Sequence, residues 1–519
     1  MENSYLGAGA RVIDALAIVL ACIVFVSIRN RVVRKGLPLP PGPRGLPIIG
    51  NALDIPKERP WLAFRDLSAK HGDVVSLHAL GQTIVVLSSV SAAIDLFEKR
   101  SAIYSDRQDS VLAHLTGWTW NLAFKRYNDD WRRVRRLFWQ HFQPSAVGQF
   151  KVVQRREAYD LLRRLLDDQR DIDSTIKLSL SKTILTSVHG LPGAQVTRHY
   201  VDILNASEHG IAEAFTPGAY LVEFLPWLRY IPAWFPGTGW QKKLAEWRTQ
   251  AAAIREDPYR AAKEAMAQGE AEPSMITELM EKLSDGELDE KTVKETTAVA
   301  FGAGTDTTAA TLVAFICAMI LHPTVQARAH AELDRVIGTA RLPEHADRAA
   351  LPYVDAIVKE MLRWHNVAPL GVAHRCMEED VYCGWRIPKG AIIMSNAWAI
   401  LNDPEVFPDP ETFRPERFLT ANGQPNADIL DPASVAFGFG RRICPGRHFA
   451  TDALFINIAS LLHVFDFQPA LDAHGDPIPV EAKMTTNAFL SYLEHFEYLI
   501  RPRSLSAEAL IRAEPDSAQ

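Results

Sequence analysis

Cysteine is scarce: five in 519 residues (Cys22, Cys317, Cys376, Cys383 and Cys444), with no CxxC pair and no framework spacing. That usage excludes a disulfide-built scaffold or a zinc finger and suits a reducing compartment. HExxH, GxSxG and GxxxxGK(S/T) are all missing, which removes the motif grounds for a zinc protease, a serine hydrolase or a P-loop nucleotide enzyme. A dominant charge is missing too. With 62 acidic against 56 basic residues the net charge is -6, and nothing in that balance asks for a nucleic acid. What remains, 47% hydrophobic and 23% charged, is the make-up of a globular protein. Several domains are the prior at this length, although large enzymes with one core break it.

Long apolar runs are rare as well. One, Val12 to Ile28, is interrupted by Asp14, and its length of about 17 residues is the lower limit for a membrane-spanning helix. Arg29, Arg31, Arg34, Lys35 and Arg44 follow with no acid among them. Basic flanks stay cytoplasmic, so the expectation is an uncleaved single-pass anchor in the endoplasmic reticulum membrane with the bulk of the chain cytosolic. A cleaved signal peptide would carry its charge before the run and a small-residue site after it. On this topology the triplet Asn205-Ala206-Ser207 stays unglycosylated. Proline is dense in Leu37-Pro38-Leu39-Pro40-Pro41-Gly42-Pro43-Arg44-Gly45, which forbids helix and favours a stiff extended connector.

Val74 to Leu77 and Ile84 to Leu87, split by a turn at Gly81, read as a strand pair, and most of the remainder reads as helix. Trp131-x-x-x-Arg135 sets an indole and a guanidinium one turn apart on a helical face. Leu221 to Trp240 is dense in aromatics and proline (Phe224, Trp227, Tyr230, Trp234, Phe235 and Trp240 among them). It suits either the headgroup level of a bilayer or a buried aromatic cluster. From about Asp289 to Leu321, ended by His322-Pro323, runs one long helical pattern, roughly 50 Å at 1.5 Å per residue. Its centre is Phe301-Gly302-Ala303-Gly304-Thr305-Asp306-Thr307-Thr308. A glycine inside a helix costs about 1 kcal/mol against alanine, so two of them need a positional reason. Small residues let something flat lie close to the backbone, and threonine hydroxyls bond back to it. Glu360-x-x-Arg363 is a further helical pair, with Phe413-Arg414-Pro415-Glu416-Arg417-Phe418 downstream.

The stretch that carries the chemistry is Phe437-Gly438-Phe439-Gly440-Arg441-Arg442-Ile443-Cys444-Pro445-Gly446. Its glycines permit left-handed bends, and two arginines place positive charge within a few residues of the sulfur. Pro445 and the apolar run Phe449, Ala450, Ala453, Leu454 and Ile456 predict a helix starting just after the cysteine, with proline at its first position. A cysteine at the positive end of a helix dipole favours the thiolate. Such a thiolate is a nucleophile, a metal ligand or an accident.

The order Phe-x-x-Gly-x-Arg-x-Cys-x-Gly, completed by Ala450, resembles the haem-ligand loop of the cytochrome P450 family, the haem-thiolate monooxygenases. The resemblance spans about residues 37 to 503 and looks most like fungal microsomal members. It implies a mainly α fold with a small β region and one haem b, with Cys444 on the iron as the metal ligand. Phe437 and Gly438 belong to the same loop. Trp131, Arg135, Arg375 and Arg442 would donate to the haem propionates. Asp306 and Thr307, in the family's Ala-Gly-x-Asp-Thr-Thr segment, would relay protons to bound dioxygen. Glu360, Arg363 and Arg417 would form a buried structural triad. Val367 to Val372 would run along the haem edge, and Ala303, Val367, Leu370, Ala488, Phe489 and the 105 to 125 loop would line an apolar substrate pocket.

The organisation expected is therefore an anchor with its basic flank (1–36), a proline-rich hinge (37–51), a haem-thiolate catalytic domain (52–503) and a polar tail (504–519). No flavin- or nicotinamide-binding region is visible. The resemblance implies a separate NADPH–cytochrome P450 reductase, with cytochrome b5 as a further electron donor, O2 as co-substrate, a membrane, and a lipophilic small molecule of the secondary-metabolite kind. Two other readings compete. A haem-thiolate isomerase or dehydratase would need neither O2 nor a relay, and Asp306-Thr307 speaks against it. A non-catalytic haem sensor would not need the costly centre of the long helix.

Overall fold

Helices carry the architecture. The structure, a computed structural model, describes residues 36–56, 58–191, 193–216, 218–487 and 489–513. The anchor expected over Val12 to Ile28 lies outside the described residues. In chain order, the helices that build the site are α1 (Asp129–Phe142), α2 (Lys151–Asp167), α3 (Ile172–His189), α4 (Ala194–Phe215) and α5 (Gly239–Gln268). They continue with α6 (Glu290–Leu321), α7 (Pro352–Trp364) and α8 (Arg447–Val464).

Local chemistry explains where they begin and which face they bury. Asn128 caps α1 by accepting from the Trp131 N–H, Asp129 and Asp130 fill its first turn, and Trp131, Val134, Leu137, Phe138 and Phe142 form its buried stripe at helical spacing. Asp289 caps α6 in the same way, accepting from the Thr292 N–H at 2.8 Å. His322 ends that helix and Pro323 starts the next. α6 is apolar all round, which places it in the interior. Among the described residues it is the helix long and apolar enough to cross a bilayer, yet 83% of its apolar window is buried in the protein.

Two large hydrophobic cores divide α6 between them. Its C-terminal half (Leu312, Phe315, Ile316, Met319) packs with Leu161 and Leu165 of α2, Val354 and Ile357 of α7, and Phe455 and Ile458 of α8. Its N-terminal half (Val293, Val299, Phe301) packs with Trp131 and Phe138 of α1, Ile184 of α3 and Phe449 of α8. The weak helical stretch read from the sequence sits where these cores part.

The β region is small. β1 (Val74–Ala79) and β2 (Gln82–Leu87) form an antiparallel hairpin with Val74 opposite Leu87. Its two-residue turn uses Leu80 at φ 49° and Gly81 at φ 86°, the left-handed pair that such hairpins need. With β3 (His374–Arg375) and β4 (Ile392–Ser395) they make a four-stranded sheet in the order β1-β2-β4-β3, β4 running parallel to β2. A second hairpin pairs β5 (Met484–Asn487) with β6 (Leu490–Leu493). The proline-rich connector is stitched to this layer through its carbonyls: Pro41 accepts from the Ser76 N–H and Pro38 from the Arg386 N–H, at 2.8 and 2.7 Å. Within the expected polar tail, residues 505–513 depart from that reading. Leu505–Ala513 is a helix whose Ala507 and Ile511 enter the larger core, because its apolar residues recur at helical spacing.

Candidate active site

Cys444 faces a cavity of about 340 Å³ between α6 and α8. The loop that carries it is shaped by glycine. Gly438 sits at φ 76° and Gly440 at φ 57°, and a Cβ on Gly440 would come 1.9 Å from the Phe97 carbonyl oxygen. The Cys444 N–H closes the turn by donating to the Phe437 carbonyl at 2.8 Å.

Three expectations about this loop need correction. α8 begins at Arg447 with Gly446 as its N-cap, so Pro445 precedes the helix instead of opening it. Arg441 and Arg442 do not face the sulfur. Arg441 donates to the Tyr127 hydroxyl, and Arg442 donates to the carbonyls of Ser105, Leu122 and Lys125 at 2.8, 3.1 and 2.9 Å. The charges that act on the thiol are Arg135 and Arg447. Finally, burial pushes the Cys444 thiol up, and the Gly446 N–H and those two arginines only partly offset it. A metal ion on the sulfur would displace the proton and hold the thiolate.

The opposite wall is α6. Ala303, Gly304, Thr307, Thr308 and Thr311 line it, and each threonine hydroxyl bonds back to a carbonyl four residues earlier, Thr307 to Ala303 at 3.0 Å. Gly304 has a second duty: a Cβ there would meet Ile184 Cδ1 at 2.9 Å, so its smallness also seats α3 against α6. Gly302 has no neighbour at its Cβ position within 4 Å. Asp306 does not line the cavity. Its carboxylate lies 2.6 Å from Lys177 Nζ and accepts from the Tyr492 hydroxyl.

The rim nearest α1 is made to hold an anion. Arg135 lines the cavity, is pulled down to about 10 by burial, and is in no salt bridge among the described residues. The Trp131 indole N–H is buried without an acceptor among them, under the Arg442 guanidinium 4.2 Å above its ring. A buried donor left unmade costs roughly 1–3 kcal/mol, so these two side chains ask for an acidic group that the described residues do not supply. Arg375 is not on the cavity wall. It approaches Asp106 at 3.8 Å, and its buried Nε lacks an acceptor among the described residues. Two wall residues were not singled out in the sequence, although the 105 to 125 loop that carries one of them was expected there. Arg107 donates to Ala123, Val372 and Ala373 carbonyls, and His374 Nδ1 meets the Tyr104 carbonyl at 2.7 Å. Burial, then Arg107, keeps that imidazole well below the ordinary histidine value.

A cavity with a sulfur on one side, the glycine- and threonine-rich centre of a long helix on the other and anion donors at its rim is the haem-thiolate arrangement, and the chain compares accordingly. Residues 40–490 match the cytochrome P450 family profile. The chain belongs to the cytochrome P450 family. It is 39% identical to a cytochrome P450 monooxygenase of Armillaria gallica over 96% of this chain and 98% of the relative. It is 37% identical to the tryptamine 4-monooxygenase of Psilocybe cyanescens over 94% and 97%. This P450 is accordingly an oxidoreductase of the monooxygenase type, as its relatives are.

Two further groups of residues can be placed. The Glu360 carboxylate takes both forks of Arg363 at 2.8 Å, the Arg417 Nε at 3.2 Å and the Arg414 N–H at 2.8 Å, with Glu360 and Arg363 fully buried. Arg417 also reaches the Pro408 and Thr412 carbonyls, so the cluster ties α7 to the segment leading into the cysteine loop. Of the pocket residues read from the sequence, Ala303, Val367 and Leu370 line the cavity, as do Phe437 and Gly438. Phe489 lies off it, its ring 5.7 Å from Phe124 and 5.4 Å from Phe215, and Ala488 lies outside the described residues.

Proposed function

We propose that this P450 is anchored in the endoplasmic reticulum membrane through its N-terminus. On this reading it oxidises a lipophilic small molecule of fungal secondary metabolism with electrons from a separate NADPH–cytochrome P450 reductase, with cytochrome b5 as a second donor. The observation that carries the reading is the pairing, across one apolar cavity, of Cys444 with Thr307 on α6. One relative being a tryptamine 4-monooxygenase brings small aromatic substrates within range.

Cys444 would ligate the haem b iron, while Trp131 and Arg135 would take its propionates. Arg442, which also lines the cavity, would stand beside them, and Arg375 behind. A haem with a sulfur ligand supplies dioxygen activation. The protein's own part is threefold. The walls built from Ala303, Val367 and Leu370 hold an apolar substrate and keep bulk water out, which protects a controlled proton path. Thr307 gives its hydroxyl hydrogen to Ala303, so its oxygen is left to accept a proton or position a water on the cavity side. Asp306, one residue earlier, is the acid that recharges this path.

Two measurements test the reading. Reduced protein under carbon monoxide is expected to show the red-shifted Soret band of sulfur ligation, and Cys444→Ser to lose it. Turnover of a lipophilic metabolite panel with reductase and NADPH is expected to give a product carrying one oxygen from labelled dioxygen. Product formed equally well without reductase or O2 would move the assignment to an isomerase.

A further inference from the structure

The acid assigned to the relay is turned away from the cavity into a cluster assembled from four elements. Lys177 of α3 reaches Asp306 Oδ1 of α6 at 2.6 Å and Glu208 Oε2 of α4 at 2.8 Å. The Tyr492 hydroxyl of β6 donates to Asp306, and the Glu208 and Asp306 carboxyls are neighbours held by that one ammonium. Two largely buried carboxyls on a single ammonium do not both stay ionised, because like charges that close repel, so the pair keeps one proton. The geometry points to Glu208 as the residue that holds the proton for Asp306, with Lys177 as the ion-pair partner they exchange.

The exchange is balanced. In one state Glu208 is a neutral acid and Asp306 is the carboxylate paired with Lys177. When the Glu208 O–H proton moves to Asp306, Glu208 becomes the carboxylate, and Lys177 is already within 2.8 Å of it. One ammonium, one carboxylate and one acid are present before and after, so no charge is created in the interior. The neutral Asp306 is no longer pinned electrostatically and can turn toward Thr307. Glu208 then regains a proton from water, to which its side chain is 19% exposed.

Charge around Glu208 agrees with this order. The groups facing it are Lys177 from α3 and Asp306 from α6, with Tyr492 of β6 behind Asp306. Burial first, then the Asp306 charge, raises the Glu208 carboxyl to about 8 despite Lys177. Burial works against the Lys177 ammonium, yet the two acids outweigh it and hold it above the ordinary lysine value. Proton holding by Glu208 is therefore expected at acid and neutral pH and lost as the pH rises through about 8. Because Glu208 rides on α4, any movement of that helix away from α6 separates the donor from Asp306.

The inference rests on Asp306 serving the relay, and three variants separate the two. Infrared difference spectra of the substrate-free protein at pH 7 are expected to show a protonated-carboxyl stretch that Glu208→Gln removes. In reductase-supported turnover, Glu208→Gln is expected to lower kcat about tenfold, short of the roughly hundredfold of a direct acid. KM and the falling alkaline limb near pH 8 distinguish a proton role from a packing one: KM stays and the limb disappears. Glu208→Asp is expected to recover part of the rate. A wild-type rate and pH profile in Glu208→Gln alongside a slow Asp306→Asn overturns the inference and leaves the relay standing. Wild-type behaviour in both variants removes the relay itself. Absence of the carboxyl band overturns the assignment of the proton whatever the kinetics.

Discussion

A hydroxyl inside a helix can tune the backbone or serve the cavity, and Thr307 is placed for both. Its bond to Ala303 is dispensable, because that carbonyl keeps its helical partner and alanine is the better helix former. Thr307→Ala should therefore leave folding and the carbon monoxide spectrum within about 1 kcal/mol of wild type while product per NADPH falls at least about tenfold and peroxide rises. Unchanged coupling would remove Thr307 from proton handling. The Glu360 cluster behaves oppositely, since nothing in it touches the cavity. Arg363 fills both oxygens of a fully buried carboxylate. Arg363→Lys keeps the charge but not the fork, and breaking such a pair costs about 3–5 kcal/mol. The expected outcome is a loss of haem-loaded protein on expression, with the melting temperature of any recovered fraction lowered, and not a change in selectivity.

At the scale of elements the glycines separate into three kinds. Gly440 is obligatory: its φ is 57° and a Cβ would strike the Phe97 carbonyl at 1.9 Å, a backbone atom that cannot move aside. Gly304 is tight, but the atom in the way is the tip of Ile184. Gly302 is free. Gly440→Ala is thus expected to abolish haem retention and Gly304→Ala to be close to neutral. Gly302→Ala is expected to raise stability by about 1 kcal/mol, all read as melting temperature and haem content. A destabilised Gly302→Ala would mean that the α6 centre bends in use. The same helix shows what a sequence makes legible. The capping Asp289, the stop at His322-Pro323 and the low-propensity centre are local, so α6 could be delimited to one residue. The Trp131/Arg135 and Glu360/Arg363 pairs were legible for that reason too, each being a fixed spacing on one helix.

At the scale of the molecule legibility falls with sequence distance. Lys177, Glu208 and Tyr492 meet Asp306 from three separate elements, and nothing local to any of them marks the meeting. His374 reached the cavity wall unannounced for the same cause, and Arg107 was foreseen only as part of its loop. Arg375 was placed there by its position in a pattern, while its side chain leans toward Asp106. The aromatic segment from Leu221 to Trp240 was ambiguous because composition does not say which way a ring points. The fold decides it: Trp227, Tyr230 and Trp234 are 59%, 72% and 81% exposed, so the buried-cluster alternative is lost and an apolar face is offered to the surroundings. Exposed tryptophans beside an exposed Arg229 suit a bilayer headgroup layer. A chain beginning at Gly36 is therefore expected still to bind phospholipid vesicles. Burying a large apolar side chain is worth about 1.5–3 kcal/mol, so Trp227→Ser and Trp234→Ser should each weaken that binding roughly tenfold or more. Neither ring is part of a core, so the carbon monoxide spectrum should not change. Equal sedimentation of variant and parent with vesicles would show that this face does not meet the membrane, and would leave attachment to the residues before Gly36.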